Sequence, residues 1–512
     1  MNRATAALAA LSALALAGSV ASAPAATAGS SLARTSVSTS LSMSVSTSVP
    51  ASVPASVPTT RSGSRASTGG FTRRVVATGL GDPYEIIWGP DAHLWVTEKS
   101  GLRVTRVDPR TGAKSTAVSI PEAHHSPGGQ DGVLGLALHP LLLTHTGRDF
   151  VYVSYDYLTT TPAAVTGELR RVRIVRYTYN TRTHRLHSPR TLIGGLPGST
   201  DHQSARLRFG PDGKLYYTIG DQGNNQFAYA CRPIWAQRLP TAAEVRARDW
   251  AAYQGKTLRL NLDGSIPANN PVLGGVRSHV WTYGHRNAQG LTFGPHGRLY
   301  QAEQGPKTDD EVNILRRGGN YGWPNVAGFR DDKAYTYNNW SASSPTPCRD
   351  LTYSDLETPS SVPQQRESQF TKPIVSPLRT FFTVNDGFNF ADPKCAEGGL
   401  YFICWPTVAS SSLTYYWAIP GLAIPGWRNS LLMTTLKDGS VYRLQLTRDG
   451  QRIRSATKMW TDQIRYRDTT SSPDGRSIYV ATDNSGLVRD PNGAPTSELR
   501  DPGSIVLFRW HR

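Results

Sequence analysis

GPDGKLYYTIGD, Gly210–Asp221, holds a turn and a strand in twelve residues. Proline presets the turn, aspartate accepts local hydrogen bonds and glycine supplies a positive φ. The residues that follow are aromatic and β-branched, as a pleated strand requires. The same unit returns as GPDAHLWVTE from Gly89, GPHGRLYQAEQG from Gly294 and SPDGRSIYVATD from Ser472. Between the copies lie further short strands: VTRVDP, RIVRYTYN, TLRLNLDG and SVYRLQL. Helical periodicity is nearly absent, and only TAAEVRARDWAAYQG (241–255) reads as a helix. A degenerate turn–strand repeat predicts an all-β fold, a β-propeller, with six blades expected. Radial repetition also accommodates about 440 residues after the leader, more than one ordinary core sustains.

The N-terminal part reads differently. Met1–Arg3 is a short basic start and Ala6–Ala21 is small and apolar, with ASA ending at Ala23 and ATA at Ala28. This is the pattern of a secretory signal peptide over 1–28 and implies a secreted protein, with no membrane span. Residues 29–70 are rich in Ser, Thr, Ala, Val and Pro, including SVPASVPASVPTT, and predict a disordered linker. The propeller is expected over 71–512.

Four cysteines in an exported chain favour disulfides, and none has zinc-ligand spacing. Cys395 and Cys404 can close a small loop, whereas Cys231 with Cys348 stays open. The net charge of +17 is spread along the chain without a basic helix or a recognisable nucleic-acid module. It reads as solvated surface, with some cations left for an anionic small molecule.

Several short stretches carry chemistry. Asp201-His202 stands just ahead of one repeat strand and Asp221 just past it. A histidine flanked by carboxylates is held oriented and basic near neutral pH, although an isolated loop histidine often only makes hydrogen bonds. Gln130-Asp131-Gly132 occupies a similar loop. YGHRNAQGLTF contributes Arg286 and Asn287; Arg286 read alone is equally a surface arginine. In EQGPKTDDEVN, Gln304-Gly305-Pro306 offers backbone carbonyls, and Asp309, Asp310 and Glu311 offer carboxylates, an oxygen set suited to calcium or to a solvated turn. Arg465 and Arg467 are spaced to share one strand face, and with Lys437 they fit a ligand bearing several carboxylates. CWPT (404–407) adds an aromatic and a hydroxyl. No GxGxxG-plus-acid fingerprint follows a strand, which argues against a nicotinamide cofactor.

In one order along the chain, DHQS, YYTIGDQG, LRLNLDGSIP, GHRN, AEQGP, GGNYGWPNVAG, ICWPTVA and RYRD resemble the soluble quinoprotein glucose dehydrogenases from about Asp82 to the C-terminus. That family uses pyrroloquinoline quinone (PQQ) and calcium on one face of a six-bladed propeller. The resemblance implies that His202 takes the proton from the anomeric hydroxyl of an aldose. Gln130, Asp201 and Asp221 would line the sugar site, with Gln226, Phe227 and Trp405 beside it. Arg286 would bond the reacting quinone oxygen, while Asn287, Gln304, Thr407, Lys437, Arg465 and Arg467 would hold the cofactor. Gly305 and Pro306 would offer main-chain oxygens to a calcium at the quinone, and Trp405 would cover its ring. A second calcium would use Asp310, Glu311, Tyr321, Ala327, Asp331 and Glu367. The chain departs from the pattern at Ala288, in the longer segment before ICWPT that brings Tyr401 or Phe402 to the site, at the larger Gln226-Phe227 pair, and in Cys231 and Cys348.

The chemistry agrees. Hemiacetal oxidation to the lactone needs a base for the proton and a cofactor for the hydride, which no side chain accepts. A quinone or other redox acceptor would then take up the electrons, and a homodimer is the assembly considered. The competing readings are a calcium-dependent propeller lactonase and a secreted propeller that binds partners without catalysis.

Overall fold

In the computed structural model, residues 70–164 and 166–512 are described; the signal peptide and nearly all of the linker expected from the sequence fall outside them. Six four-stranded antiparallel sheets follow one another along the chain as the blades of a propeller. Their innermost strands are Pro83–Trp88, Val133–Leu138, Ser204–Phe209, Asn287–Phe293, Ser410–Tyr415 and Tyr466–Ser471. Each packs against the next, and the sixth against the first. The ring is closed by the chain ends. In blade 6, Tyr466–Ser471, Ser477–Thr482 and Ile505–His511 take Gly70–Ala77 as their outermost strand.

The repeat turns join the first strand of a blade to the second. In blade 3 the Gly213 amide bonds the Gly210 carbonyl at 3.0 Å, and Gly213 has a φ of 69°. Asp212 accepts from the Lys214 amide and from the Tyr216 hydroxyl, which ties the turn to its own strand. One apolar cluster fills each space between blades, such as Leu134, Leu207, Tyr217 and Leu258 between blades 2 and 3. Fully buried Leu207 is expected to contribute about 2–5 kcal/mol against truncation to alanine.

The predicted helix is shorter than its pattern. Only Ala242–Ala247 is α-helical, started by a capping box between Thr241 and Glu244 and ended by Arg248 at a φ of 56°. Trp250 and Tyr253 are buried in the core between blades 2 and 3, and that packing overrides the local helical tendency. A one-turn helix at Tyr401–Cys404 was not foreseen. Both disulfides form, Cys395–Cys404 and Cys231–Cys348. No helix among the described residues is long and apolar enough to cross a membrane.

All six innermost strands share one irregularity. Each gains one residue on its neighbour just after it begins, as between Ser204 and Leu207 or between Asn287 and Gly290. These are β-bulges, which end regular pairing and re-aim side chains. All six lie at the same end of the propeller, opposite the repeat turns, and that end carries the candidate site.

Candidate active site

A cleft of about 610 Å³ opens at the bulged end. Two sets of loops line most of it. The entries to inner strands bring Gln130, Asp201, His202, Arg286, Thr407 and Arg465; the loops after second strands bring Gln226, Phe227, Gly305, Pro306 and Lys437. Residues far apart in sequence converge because every blade presents the same two loops toward the axis.

His202 is buried and sits at a φ of 44°, a left-handed conformation that costs a non-glycine residue on the order of 1–3 kcal/mol. Gly220 permits it, since a Cβ there would fall 1.8 Å from the His202 carbonyl oxygen. The His202 Nδ1 lies 2.6 Å from Asp221 Oδ1. A carboxylate only accepts, so Nδ1 carries the proton and Nε2 keeps its lone pair toward the cleft. The Gln226 amide satisfies Nε2 at 3.2 Å, donates to Asp201 Oδ2 at 2.9 Å and accepts from Arg286 Nη2 at 3.0 Å. Gln130 donates to the other oxygen of Asp201 at 2.7 Å. His202, Asp201 and Arg286 thus form one connected network.

Asp221 departs from its expected place in the sugar site. It is fully buried below His202, outside the cleft lining, and also accepts from Trp323 Nε1 at 2.8 Å and the Gly223 amide at 3.0 Å. Asn287 also lies beneath the cleft, donating to Gln304 Oε1 and accepting from Ser204 and Gln289.

The far wall is cationic. Arg467 grips Asp483 with two bonds of 2.7 Å and Arg465 reaches the same carboxylate at 3.2 Å. Burial alone would raise Asp483, but Arg467 and Arg465 bring it down to about 2. Lys437 donates to the Phe402 carbonyl at 2.6 Å; burial and neighbouring Arg489 push its ammonium well below the usual lysine range. The buried Nε of Arg286 has no hydrogen-bond partner among the described residues. Trp405 lines the cleft and is anchored by its Nε1 on the Phe390 carbonyl at 3.1 Å.

The oxygen-rich stretch divides. Gly305 and Pro306 line the cleft, and Gly305 is obligatory because a Cβ would lie 2.2 Å from the Thr308 carbonyl oxygen. Asp310, expected in a second metal set, braces backbone: it accepts from the amides of Gly305, Val408 and Ser410 at 2.8, 2.9 and 3.3 Å. It thereby ties the Gly305 loop to the segment carrying Thr407. The Tyr321 hydroxyl donates to the Ile314 carbonyl, leaving only its backbone oxygen for a cation. Glu367 accepts from the amides of Ala327, Asp331 and Asp332, and Glu311 accepts from those of Gly328 and the Asn313 side chain. Asp331 pairs with Lys333 at 3.2 Å. Among the described residues no three His, Cys, Asp or Glu side chains converge to cage a metal unaided.

The floor of the cleft is not legible in the sequence motifs. Arg206, with no exposed surface, bonds the carbonyls of Gln289 and Ser411 at 2.8 Å and pairs with Glu85 and Asp468 at 3.1 Å. One guanidinium so joins five blades and closes the axis below the cleft. Gln289 lies directly above, accepting from Arg467 at 3.2 Å and donating to Asn287 at 3.1 Å. A charged residue at an inward position of an innermost strand, in SARLRF, was the available signal.

Comparison with proteins of known structure first defines the class. The PQQ-bound form of aldose sugar dehydrogenase from Streptomyces coelicolor superposes with a TM-score of 0.56 at 23% identity, covering 87% of this chain and 99% of that one. The apo-form of the soluble aldose sugar dehydrogenase from Escherichia coli superposes with a TM-score of 0.58 at 22% identity, over 86% and 99%. These likenesses establish the six-bladed fold. Sequence then places the chain: residues 80–350 and 394–489 match the glucose/sorbosone dehydrogenase family. Quinoprotein glucose dehydrogenase B of Acinetobacter calcoaceticus is 44% identical over 450 residues, 87% of this chain and 92% of that protein. Aldose sugar dehydrogenase YliI of Escherichia coli is 27% identical over 302 residues, 58% and 62% of the two chains. This chain belongs to the glucose/sorbosone dehydrogenase family.

Proposed function

We propose that the protein is a PQQ-dependent aldose dehydrogenase that oxidises the anomeric carbon of glucose or a similar sugar to the lactone. The observation that carries this reading is the His202–Asp221 pair opening onto the same cleft as Lys437, Arg465 and Arg467. A lactonase would use the histidine and carboxylates but not the cationic wall; a partner-binding propeller would need neither.

The donor set fits PQQ. The cofactor is a planar quinone with three carboxylates, and the wall supplies Lys437, Arg465 and Arg467, with Thr407 and Gln304 in the same lining and Asn287 beneath, holding Gln304. Arg286 lines the cleft with its Nη atoms on Gln226 Oε1 and the Gln304 carbonyl, and its guanidinium would turn those donors to a developing oxyanion. A bound quinone would supply the hydride acceptor that no side chain can. The protein does the rest. His202 Nε2 receives the anomeric hydroxyl proton after the Gln226 amide yields its place, and Asp221 stabilises the resulting imidazolium. Asp201, Gln130 and Gln226 orient the sugar hydroxyls, while Phe227 and Trp405 offer apolar faces to the ring.

Calcium fits two oxygen sets. Gly305 and Pro306 would hold one ion at the cofactor through backbone carbonyls. Glu311, Asp331 and Glu367, with the carbonyls of Tyr321 and Ala327, would hold another. Support comes from uncompensated buried acids: burial and nearby Glu303 push Glu311 up, and burial raises Glu367 to about 7. A bound cation would relieve both.

We also infer export, from the leader pattern over 1–28 together with two disulfides and no free cysteine among the described residues. The deciding experiment is dye-linked aldose oxidation by cofactor-free protein with and without added PQQ and calcium. Activity that requires both supports the proposal. Hydrolysis of lactones without PQQ, or no turnover on any aldose, rejects it.

A further inference from the structure

The wall of the cleft nearest His202 is not part of any blade. It consists of the loop Asn224–Cys231, which follows the second strand of blade 3, and the long excursion of blade 4 from Ala334 to Asp355. The loop presents Asn225, Gln226 and Phe227; the excursion presents Tyr337, Tyr353 and Asp355. Beyond single-turn 3-10 segments, the excursion has only the two-residue pairing of Tyr337–Asn338 with Gln364–Gln365. Its apolar packing is split into two small clusters: Ala230, Trp340, Cys348 and Val362 with Leu351 and Tyr353 at the seam, and Ala236, Trp323, Ala327 and Tyr335 with Ile234 and Tyr337 beside it.

The two segments meet along one line. Phe227 and Tyr353 lie with ring centroids 5.4 Å apart, Tyr353 packs on Trp340 at 5.0 Å, and Asn225 bonds the Asn338 carbonyl at 2.8 Å and the Ser341 amide at 3.2 Å. The Cys231–Cys348 disulfide spans the same seam across 117 residues of sequence. Cys231 ends the loop five residues after Gln226, the side chain that joins Asp201, His202 and Arg286. Cys348 lies five residues before Tyr353.

We propose that Cys231 and Cys348 are positioning residues: their disulfide holds the sugar-facing wall in register with the base, so that substrate meets Gln226, Phe227 and Tyr353 already in place. A seam with so small a core does not by itself offset the backbone entropy of two loops, and a covalent link removes the separated arrangements. His202–Asp221 and the cationic wall sit at the ends of blade strands, outside the two linked segments, and do not depend on the link. Loss of the disulfide therefore weakens sugar binding and leaves cofactor binding intact. The inference rests on the cleft's reading as a sugar site, but its first test does not.

That test is hydrogen exchange on cofactor-free protein, comparing wild type with Cys231→Ser/Cys348→Ser. At least tenfold faster exchange is expected within 224–231 and 337–356, with blade strands unchanged. The second test is steady-state oxidation: KM for the aldose rises about tenfold or more, while kcat and the PQQ titration stay within twofold of wild type. Unchanged exchange in both segments overturns the inference. So does accelerated exchange throughout the blades or a variant that fails to fold, since the link would then serve the whole fold. Should no aldose be oxidised by either protein, the dehydrogenase reading fails and exchange alone decides the tether.

Discussion

Replacing Asp221 with asparagine isolates the orientation of His202 from its presence. In the wild type, Asp221 Oδ1 accepts from His202 Nδ1 at 2.6 Å and from the Gly223 amide at 3.0 Å, while Oδ2 accepts from Trp323 Nε1 at 2.8 Å. Asparagine has one carbonyl oxygen for three donors. If that oxygen faces Trp323, the amide NH₂ meets Nδ1 and drives the histidine proton to Nε2, which removes the lone pair aimed at the cleft. If it faces Nδ1, the NH₂ confronts the Trp323 N–H. The lost charge-assisted bond is worth about 1.5–3 kcal/mol, or about tenfold to about 150-fold in rate. The tautomer change adds to this, so kcat is expected to fall about a hundredfold to about ten-thousandfold. PQQ binding should be unchanged, because Asp221 lies beneath His202 and away from the cationic wall. The assay is dye-linked turnover at saturating sugar, with cofactor titrated separately. A kcat within threefold of wild type would refute the orienting role.

Four other perturbations have expected outcomes. His202→Ala should lower kcat by about a hundredfold to about ten-thousandfold with normal cofactor titration; a loss confined to KM would assign the base elsewhere. Arg467→Ala should weaken PQQ binding and flatten the acid limb of stability. Asp483 falls from 3.8 to about 2 on folding, so its contribution of about 2 kcal/mol is present above pH 4 and lost as pH drops through 2; parallel acid-unfolding curves for variant and wild type would contradict this. Chelation should abolish turnover and lower Tm. In Glu367→Gln, the Tm gain on adding calcium should shrink by at least half, and an undiminished gain would remove Glu367 from the structural site.

The repeat at Gly89, Gly210, Gly294 and Ser472 by itself determined the architecture, because its turn and strand rules are local: the proline-led turn, Pro-Asp-Gly in two copies, sets the dihedrals and alternation sets the faces. The family followed from motif order. The tertiary structure alone decided which groups converge, since each blade contributes only two short loops and their meeting depends on ring closure. It moved Asp221 from the sugar site to a place under His202 and made Asp310 a backbone brace, because local sequence does not say where a carboxylate's acceptor oxygens will find donors. It also revealed Arg206 joining five blades and Cys231 paired with Cys348, contacts made across long stretches of sequence that no periodicity records.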